Sequence, residues 1–234
     1  MKKLLLHNIS FKFNPQEQPF FHDAHIEFDS DSVYFIQGKN GVGKSTFFSV
    51  LQGTTPRSAL LTGTIIFDGT EFTIKNNYMD PKISARVKTV VQDSNKMIVN
   101  TMTIDENLRL AHLPMHPGLI PLAHTINLPT IMKDFGINNL NKNVQQLSGG
   151  QKQILAIMMA LQKPTQILLL DEPTAALDEK NTHMVIQFLT NLAKTLDLII
   201  IIITHDKELT ATYAQNRTVT IKVNEKGTRT IELL

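Results

Sequence analysis

Two short stretches of the chain contain the residue types that surround phosphate groups. GKNGVGKS, from Gly38 to Ser45, fits the pattern Gly-x-x-x-x-Gly-Lys-Ser. In this pattern backbone N–H groups wrap the phosphates, the lysine reaches the outer phosphate oxygens, and the serine hydroxyl faces Mg²⁺. LSGGQ, from Leu147 to Gln151, opens onto an apolar helical pattern, and free N–H groups at a helix N-terminus also attract anions. The second stretch contains no lysine, so its role in a chain that already has a phosphate loop needs an explanation.

The acidic pair Asp171-Glu172 directly follows the apolar run Ile167 to Leu170 in ILLLDEP. Asp171 is suited to hold Mg²⁺ through water, and Glu172 is suited to orient and deprotonate an attacking water molecule. An acidic pair that simply faces solvent at a strand end is the alternative. The phosphate loop in the same chain favours the catalytic interpretation.

Two kinds of strand pattern are expected to position these groups. Leu4 to Phe13, Ala24 to Phe28 and Gly63 to Gly69 are rich in strand formers and predict an antiparallel β layer. The tail predicts a hairpin around Asn224 to Gly227. The segment STFFSVLQ after the phosphate loop predicts a helix that stops at Gly53.

Three short apolar runs separated by helical patterns indicate strands buried on both faces of a parallel sheet: Val33 to Ile36, Ile167 to Leu170 and Leu198 to Ile203. The first run leads into the phosphate loop, the second into the acidic pair, and the third into Thr204-His205. Ligands of open α/β sheets bind at the carboxyl ends of the strands. The three groups are therefore expected at one edge of one sheet.

The predicted architecture is a single α/β domain over residues 1–234, with a mostly parallel sheet and an N-terminal antiparallel β layer. Residues 1–92 and 162–234 would form the nucleotide-binding core and β layer. Residues 93–161 would form a helical subdomain, interrupted by a Pro-rich loop from Leu113 to Leu122.

Composition excludes several classes of protein. The 23 Lys and Arg residues nearly balance the 21 Asp and Glu residues, which argues against nucleic acid as the main partner. The absence of cysteine excludes disulfides and thiolate metal sites. The longest apolar run, Leu196 to Ile203, is far shorter than the roughly 20 residues that span a bilayer. Any membrane role is therefore expected to come through a partner.

Taken in order, these motifs resemble the ATP-binding cassette of ABC transporters over essentially the whole chain. The resemblance rests on the phosphate loop, Gln92 after KTVV, LSGGQ, LLLDEP, AALD from Ala175 to Asp178, and ITH from Ile203 to His205. It implies that two cassettes pack head to tail in the presence of ATP, and that each LSGGQ stretch covers the γ-phosphate held by the other cassette. No second lysine would then be needed, because the partner's phosphate loop supplies one.

The resemblance also implies roles for individual residues. Glu172 would be the catalytic base, His205 would contact the γ-phosphate, and Asp178 would couple the two sites. An aromatic residue in the first strand would stack on adenine; Phe13 is the first candidate and Phe11 the alternative, and both could instead simply pack under the sheet. The remaining positions are implied to bind ATP (Gly38, Lys39, Asn40, Gly41, Val42, Gly43, Lys44, Ser45, Thr46 and Gln92), to bind Mg²⁺ (Ser45, Gln92 and Asp171), or to form the signature that acts on the partner's ATP (Leu147, Ser148, Gly149, Gly150 and Gln151).

The sequence departs from the family pattern at a few positions. Ile154 and Met158 stand where basic residues are common after LSGGQ, and Ala175-Ala176 replaces a more usual serine. These changes bear on coupling or rate rather than on ATP binding. The methionines of this segment are expected to pack in the core.

The kind of ABC protein is less constrained. Val90 to Ala111 and Ile154 to Asp178 are similar to ATPase subunits of bacterial importers of the tryptophan/tyrosine type, which work with periplasmic binding proteins. A lipoprotein-release or small exporter cassette and a soluble ABC regulator are alternatives, and a P-loop kinase or nucleotide sensor is a further one. The importer interpretation implies a separate transmembrane permease, docked near Met97 to Leu108, and a cytoplasmic location on the inner face of the membrane.

Overall fold

The computed structural model describes residues 1–74, 79–113, 130–214, 217–225 and 227–233. Most of the predicted Pro-rich loop, from residue 114 onward, lies outside these residues. The described strands are β1 (Lys3–Lys12), β2 (Phe21–Asp29), β3 (Ser32–Gln37), β4 (Leu60–Phe67), β5 (Thr70–Thr73), β6 (Val87–Val90), β7 (Ile167–Asp171), β8 (Ile199–Ile203), β9 (Thr218–Val223) and β10 (Arg229–Leu233). The described α-helices are α1 (Lys44–Gln52), α2 (Pro81–Ser84), α3 (Ile104–His112), α4 (Thr130–Lys133), α5 (Gly149–Ala160), α6 (Glu179–Leu196) and α7 (Lys207–Tyr213).

All ten strands belong to one mixed sheet in the order β5-β4-β1-β2-β10-β9-β3-β8-β7-β6. The β1, β2, β4 and β5 strands pair in antiparallel fashion, whereas β3, β8, β7 and β6 pair in parallel. This arrangement confirms the predicted α/β fold class. It also shows that the antiparallel layer is continuous with the parallel core, because the hairpin of β9 and β10 is inserted between β2 and β3.

The parallel strands are buried on both faces, as their unbroken apolar sequences predict. Ile199 to Ile203 are each at most 1% exposed. Their side chains alternate between two apolar clusters: Ile200 and Ile202 pack with residues of α5 and α6, and Ile201 packs on the opposite side with residues of α1 and the antiparallel strands. A two-residue side-chain period across a sheet covered on both faces produces this division.

The end of α6 is tied to the start of the chain. Asp197 terminates the helix in the left-handed conformation, at φ 53°. Its carboxylate lies 2.7 Å from the Lys2 ammonium and accepts a hydrogen bond from the Ser30 hydroxyl. The hydrogen bonds from Lys2 and Ser30 lower the pKa of Asp197 to about 2.

We expect Asp197→Asn to destabilise the protein in a pH-dependent way. A lowered pKa in the folded state contributes stability above the unfolded value of 3.8, and this contribution is lost as the pH falls from about 4 to about 2. Because the Lys2 and Asp197 side chains are 28% and 39% exposed, solvent screens the pair, and we expect a loss of about 0.5–1 kcal/mol at pH 7. Urea unfolding at pH 7 and at pH 3 measures it, and a loss of the same size at both pH values would contradict the assignment. Asp31→Asn is the control, since Asp31 also has a left-handed backbone, at φ 60°.

Candidate functional site

Four neighbouring parallel strands end together at one edge of the sheet. β3, β8, β7 and β6 are adjacent in that order, so their carboxyl ends bring together four groups: the phosphate loop, His205, the acidic pair and Gln92. A cavity of about 350 Å³ opens there. Its described lining residues are Asn40, Gly41, Gly43, Lys44, Ser45, Thr46, Gln92, Asp171, Glu172 and Ile203. The predicted convergence of the strand ends is therefore found in the fold, and Gln92 joins the three groups that the apolar runs predicted.

The phosphate loop has the backbone that its glycines permit. Gly41 and Gly43 adopt φ values of 77° and 116°, which disfavour residues with a Cβ atom. Lys44 begins α1 and is only 8% exposed. Its ammonium donates hydrogen bonds to the carbonyls of Gly38 at 2.7 Å and of Lys39 at 3.2 Å. The lysine is thus held inside the curve of the loop, beside the N-terminus of α1, where an anion would be stabilised.

Glu172 is fixed between two side chains from neighbouring strand ends. The Gln92 amide donates a hydrogen bond to one carboxylate oxygen at 3.1 Å, and the other oxygen lies 2.9 Å from Nδ1 of His205. The backbone of Glu172 has φ 47°, and its N–H donates to the Ile203 carbonyl at 2.9 Å. A left-handed glutamate is uncommon, and such conformations concentrate at functional sites. The contacts aim an oriented carboxylate into the cavity.

Asp171 has the environment of a residue that binds a cation. Burial raises the pKa of Asp171, the neighbouring charge of Glu172 raises it further, and the Lys44 ammonium opposes both effects. A carboxylate that is desolvated beside a second carboxylate would be stabilised by a divalent ion. Ser45 and Gln92 line the same cavity, so it offers hydroxyl, amide and carboxylate oxygens. These are ligands that Mg²⁺ accepts, and the residues present therefore fit the predicted ion.

The two candidate aromatic residues of the first strand differ in exposure. Phe11 is fully buried, whereas Phe13, just beyond β1, is 41% exposed. Phe13 packs edge-to-face against Phe20, with ring centroids 5.0 Å apart. Phe20 in turn contacts the phosphate loop, since a Cβ atom added to Gly43 would lie 2.6 Å from its ring. Phe13 is thus the exposed one of the two candidates, and the sequence did not reveal Phe20 as its link to the loop.

The signature stretch is a tightly capped helix start. Ser148 is the N-cap of α5, and its hydroxyl accepts from the Gln151 backbone at 3.2 Å while the Gln151 side chain accepts from the Ser148 backbone. A Cβ atom on Gly150 would lie 2.4 Å from Met184 of α6, so glycine allows the two helices to approach closely. Ser148 and Gly149 are exposed, and none of the described residues that line the phosphate-loop cavity belongs to the signature.

Asp178 and the two positions after the signature that lack basic residues each have a local role in the fold. Asp178 is the N-cap of α6 and accepts hydrogen bonds at 2.8 and 2.9 Å from the backbone and side chain of Asn181. Ile154 and Met158, which replace basic residues, are 0% and 4% exposed. The helix after the signature therefore uses these positions for core packing, as expected for its methionines.

The model of the family described as ABC transporter matches residues 21–175, which contain the phosphate loop, the signature and the acidic pair. The chain belongs to the ABC transporter family. This match confirms the resemblance drawn from the motifs. As a member of this family of transport-coupled ATPases, the chain is an ATP-binding subunit and an ATPase.

Individual relatives and solved structures agree with the family assignment. The chain is 32% identical over 215 residues to a tyrosine transport ATP-binding protein of Clostridioides difficile (strain R20291), covering 87% of this chain and 82% of the relative. It is 30% identical over 210 residues to the methionine import ATP-binding protein MetN of Streptococcus agalactiae serotype III (strain NEM316), and spans only 57% of that relative's length. The structure of CbiO1 from Clostridium perfringens, described as part of the ABC transporter complex CbiONQ, superposes with a TM-score of 0.74 at 24% identity, over 98% of this chain and 86% of that one.

Among the helices that the structure describes, none is long and apolar enough to cross a lipid bilayer.

Proposed function

We propose that two copies of this ABC ATPase pack head to tail around two Mg-ATP and drive a separate membrane permease. The dimer is inferred from one observation. Within a single chain, the signature does not line the phosphate-loop cavity. Ser148 and Gly149 present an exposed helix N-terminus, with about half a positive charge, that lines none of the chain's own phosphate cavity. A second copy placed opposite would direct this N-terminus toward the γ-phosphate.

The residues of the cavity divide the work of ATP hydrolysis. Lys44 and the loop N–H groups bind the phosphates. Asp171, Ser45 and Gln92 would hold Mg²⁺, which would supply positive charge to the phosphate oxygens. Glu172 takes a proton from the attacking water, because its carboxylate is already oriented by Gln92 and His205.

His205 has a second role in this scheme. Its Nδ1 faces Glu172 at 2.9 Å, which leaves the opposite ring nitrogen directed away from the carboxylate. The side chain is 63% exposed, and in the imidazolium form, in which both ring nitrogens are donors, this nitrogen would donate to the γ-phosphate. Asp178 and the signature of the partner copy would complete the site. Loss of the γ-phosphate would remove the contacts that join the copies, so hydrolysis would separate them.

The name of one relative supports import as the direction of transport. MetN of Streptococcus agalactiae is called a methionine import protein, whereas the name of the tyrosine transport relative states no direction. On this support we propose that the chain serves an importer and acts at the inner face of the membrane. A substrate-binding protein outside the membrane would deliver the cargo to the permease.

The proposed permease-docking surface runs from Gln92 through α3 and contains the predicted residues Met97 to Leu108. Asn107, fully buried, shapes it by donating to the carbonyls of Val99 at 3.1 Å and Thr103 at 2.9 Å and accepting from the Val99 N–H at 2.8 Å. Met97 is partly exposed at its start, and Leu110 on α3 is 42% exposed. The surface is therefore rigid and partly apolar, and it lies next to the glutamine that contacts the catalytic glutamate.

We expect Met97→Glu and Leu110→Glu to weaken permease binding without changing ATP binding, because each places a charge on the apolar docking surface. The test is affinity recovery of the tagged chain from detergent-solubilised membranes of its native host, with mass spectrometry of multi-spanning proteins. Val223→Glu is the matched control, since Val223 is an exposed apolar residue on β9. Equal recovery of the permease by all three variants and the parent chain would contradict this docking surface.

We expect Phe13→Ala to raise the KM for ATP roughly tenfold or more and to change kcat little. Aromatic stacking on a base contributes about 1–3 kcal/mol, and the substitution leaves the phosphate loop intact. Steady-state ATPase assays measure both constants, and Phe13→Trp should restore the KM. An unchanged KM in the alanine variant would show that adenine does not stack on this ring.

A further inference from the structure

The C-terminal hairpin occupies the junction between the two halves of the sheet. β10 pairs with β2 of the antiparallel layer through Arg229 and Phe21, and β9 pairs with β3 of the parallel core. Phe13 and Phe20 belong to the antiparallel side, whereas the phosphate loop follows β3 on the core side. A side chain at the start of β10 can therefore contact both sides of the nucleotide site.

Arg229 makes four contacts, three through its guanidinium and one through its backbone N–H. Its guanidinium lies over the Phe20 ring, 3.8 Å from the centroid, and its backbone N–H donates to the Phe20 carbonyl at 2.9 Å. Its Nε donates to the carbonyl of Val42 in the phosphate loop at 3.4 Å. Another guanidinium nitrogen donates to the Gly227 carbonyl at 2.6 Å, which fixes the arginine to its own hairpin.

Phe20 lies between Arg229 and Phe13, the residue on which we propose that adenine stacks. Its ring and the Phe13 ring form a T-shaped pair with centroids 5.0 Å apart, and a Cβ added to Gly43 would come within 2.6 Å of it. Arg229 therefore covers a ring that contacts both Phe13 and the phosphate loop. A guanidinium lies flat on a ring and donates hydrogen bonds within its own plane at the same time. A lysine ammonium also attracts a ring face, but it has no planar group and cannot stack and donate in this way.

We propose that Arg229 is a positioning residue for nucleotide binding, which holds Phe20 and thereby sets Phe13 at the correct height above the phosphate loop for the adenine base. This inference rests on the proposed stacking of adenine on Phe13. It predicts that Arg229 affects recognition of the base more than recognition of the phosphates. It also gives the C-terminal hairpin a role in substrate selection, although the hairpin is far in sequence from Phe13 and from the phosphate loop.

The test compares binding of ATP and of inorganic tripolyphosphate, each with Mg²⁺, by calorimetry on the full chain. We expect Arg229→Gln to weaken ATP binding about five- to tenfold and to leave tripolyphosphate binding within about twofold. In ATPase assays the same variant should raise the KM for ATP by a similar factor with kcat nearly unchanged. Arg229→Lys should resemble Arg229→Gln, because it keeps the charge but loses the planar group.

Controls separate this effect from a general loss of structure. Arg86 also lies over a phenylalanine, Phe67, at 5.6 Å, and it donates to Gln166. Arg86→Gln should therefore lower thermal stability without changing the preference for ATP over tripolyphosphate. Equal loss of both ligands in Arg229→Gln, or full ATP affinity in Arg229→Lys, would overturn the proposal.

The stacking proposal is tested separately by Phe13→Ala in the same titrations. If that variant keeps the parent's ATP affinity, adenine does not stack on Phe13. If it loses ATP affinity while Arg229→Gln does not, the stacking on Phe13 is supported and the role of Arg229 is refuted.

Discussion

Glu172→Gln should slow ATP hydrolysis by roughly 10²–10⁴-fold, the effect of losing a general base. An amide cannot accept the proton of the attacking water, although it keeps the shape of the side chain and its place between Gln92 and His205. ATP binding should stay within about threefold of the parent chain, because Lys44 and the loop N–H groups are unchanged. Phosphate release at saturating Mg-ATP measures turnover, and calorimetry measures binding.

The control for this variant is Glu71→Gln, which makes the same chemical change at an exposed position of the edge strand β5. It should hydrolyse ATP at the parental rate. Parental turnover in Glu172→Gln itself would mean that another residue deprotonates the water. The orientation of Glu172 by two side chains would then need a different explanation.

Lys44→Met should weaken ATP binding roughly 100-fold. Charge-assisted hydrogen bonds to a phosphate contribute about 1.5–3 kcal/mol, and the ammonium group supplies more than one of them. Methionine keeps the apolar stem of a side chain that is only 8% exposed, so the loop should still fold. Calorimetry gives the affinity, and thermal unfolding with and without Mg-ATP should show stabilisation of the parent chain but not of the variant.

Lys82→Met is the matched control because Lys82 is exposed on the short helix α2. It should bind ATP as the parent chain does. If Lys44→Met bound ATP with parental affinity, the ammonium that now contacts the Gly38 and Lys39 carbonyls would be a structural element of the loop rather than a phosphate ligand.

The sequence predicted most of the site because each motif follows a strand with a strong pattern. The segments that form β3, β7 and β8 are continuous apolar runs, which indicate strands of a parallel sheet. The carboxyl ends of such strands lie at the same edge of the sheet, where ligands bind. β6 was missed as a strand because it is only four residues long, Val87–Val90, and two of them are polar. The place of Gln92 in the site therefore rested on the resemblance, and its contact with Glu172 is explained by the pairing of β6 with β7.

The adenine side of the site was less predictable for a different reason. The sequence offers Phe13 as the first candidate and Phe11 as the alternative, and only the fold shows that Phe11 is buried and Phe13 exposed. Phe20 and Arg229 are separated by more than 200 residues in the chain, and no local pattern joins them. Their contact depends on the insertion of the C-terminal hairpin between β2 and β3, which is a property of the whole sheet.

The mass in solution of the Glu172→Gln variant, measured by size exclusion with light scattering, is the most direct test of the proposed dimer. The slowed hydrolysis should preserve the ATP-bound state, so we predict a monomer without nucleotide and a dimer with Mg-ATP. Adding Ser148→Arg should abolish the dimer but leave ATP bound, because the chain's own phosphate loop is intact. If Glu172→Gln remains a monomer while nucleotide binding is measured directly on the same sample, the proposal that the signature serves the partner's ATP is contradicted.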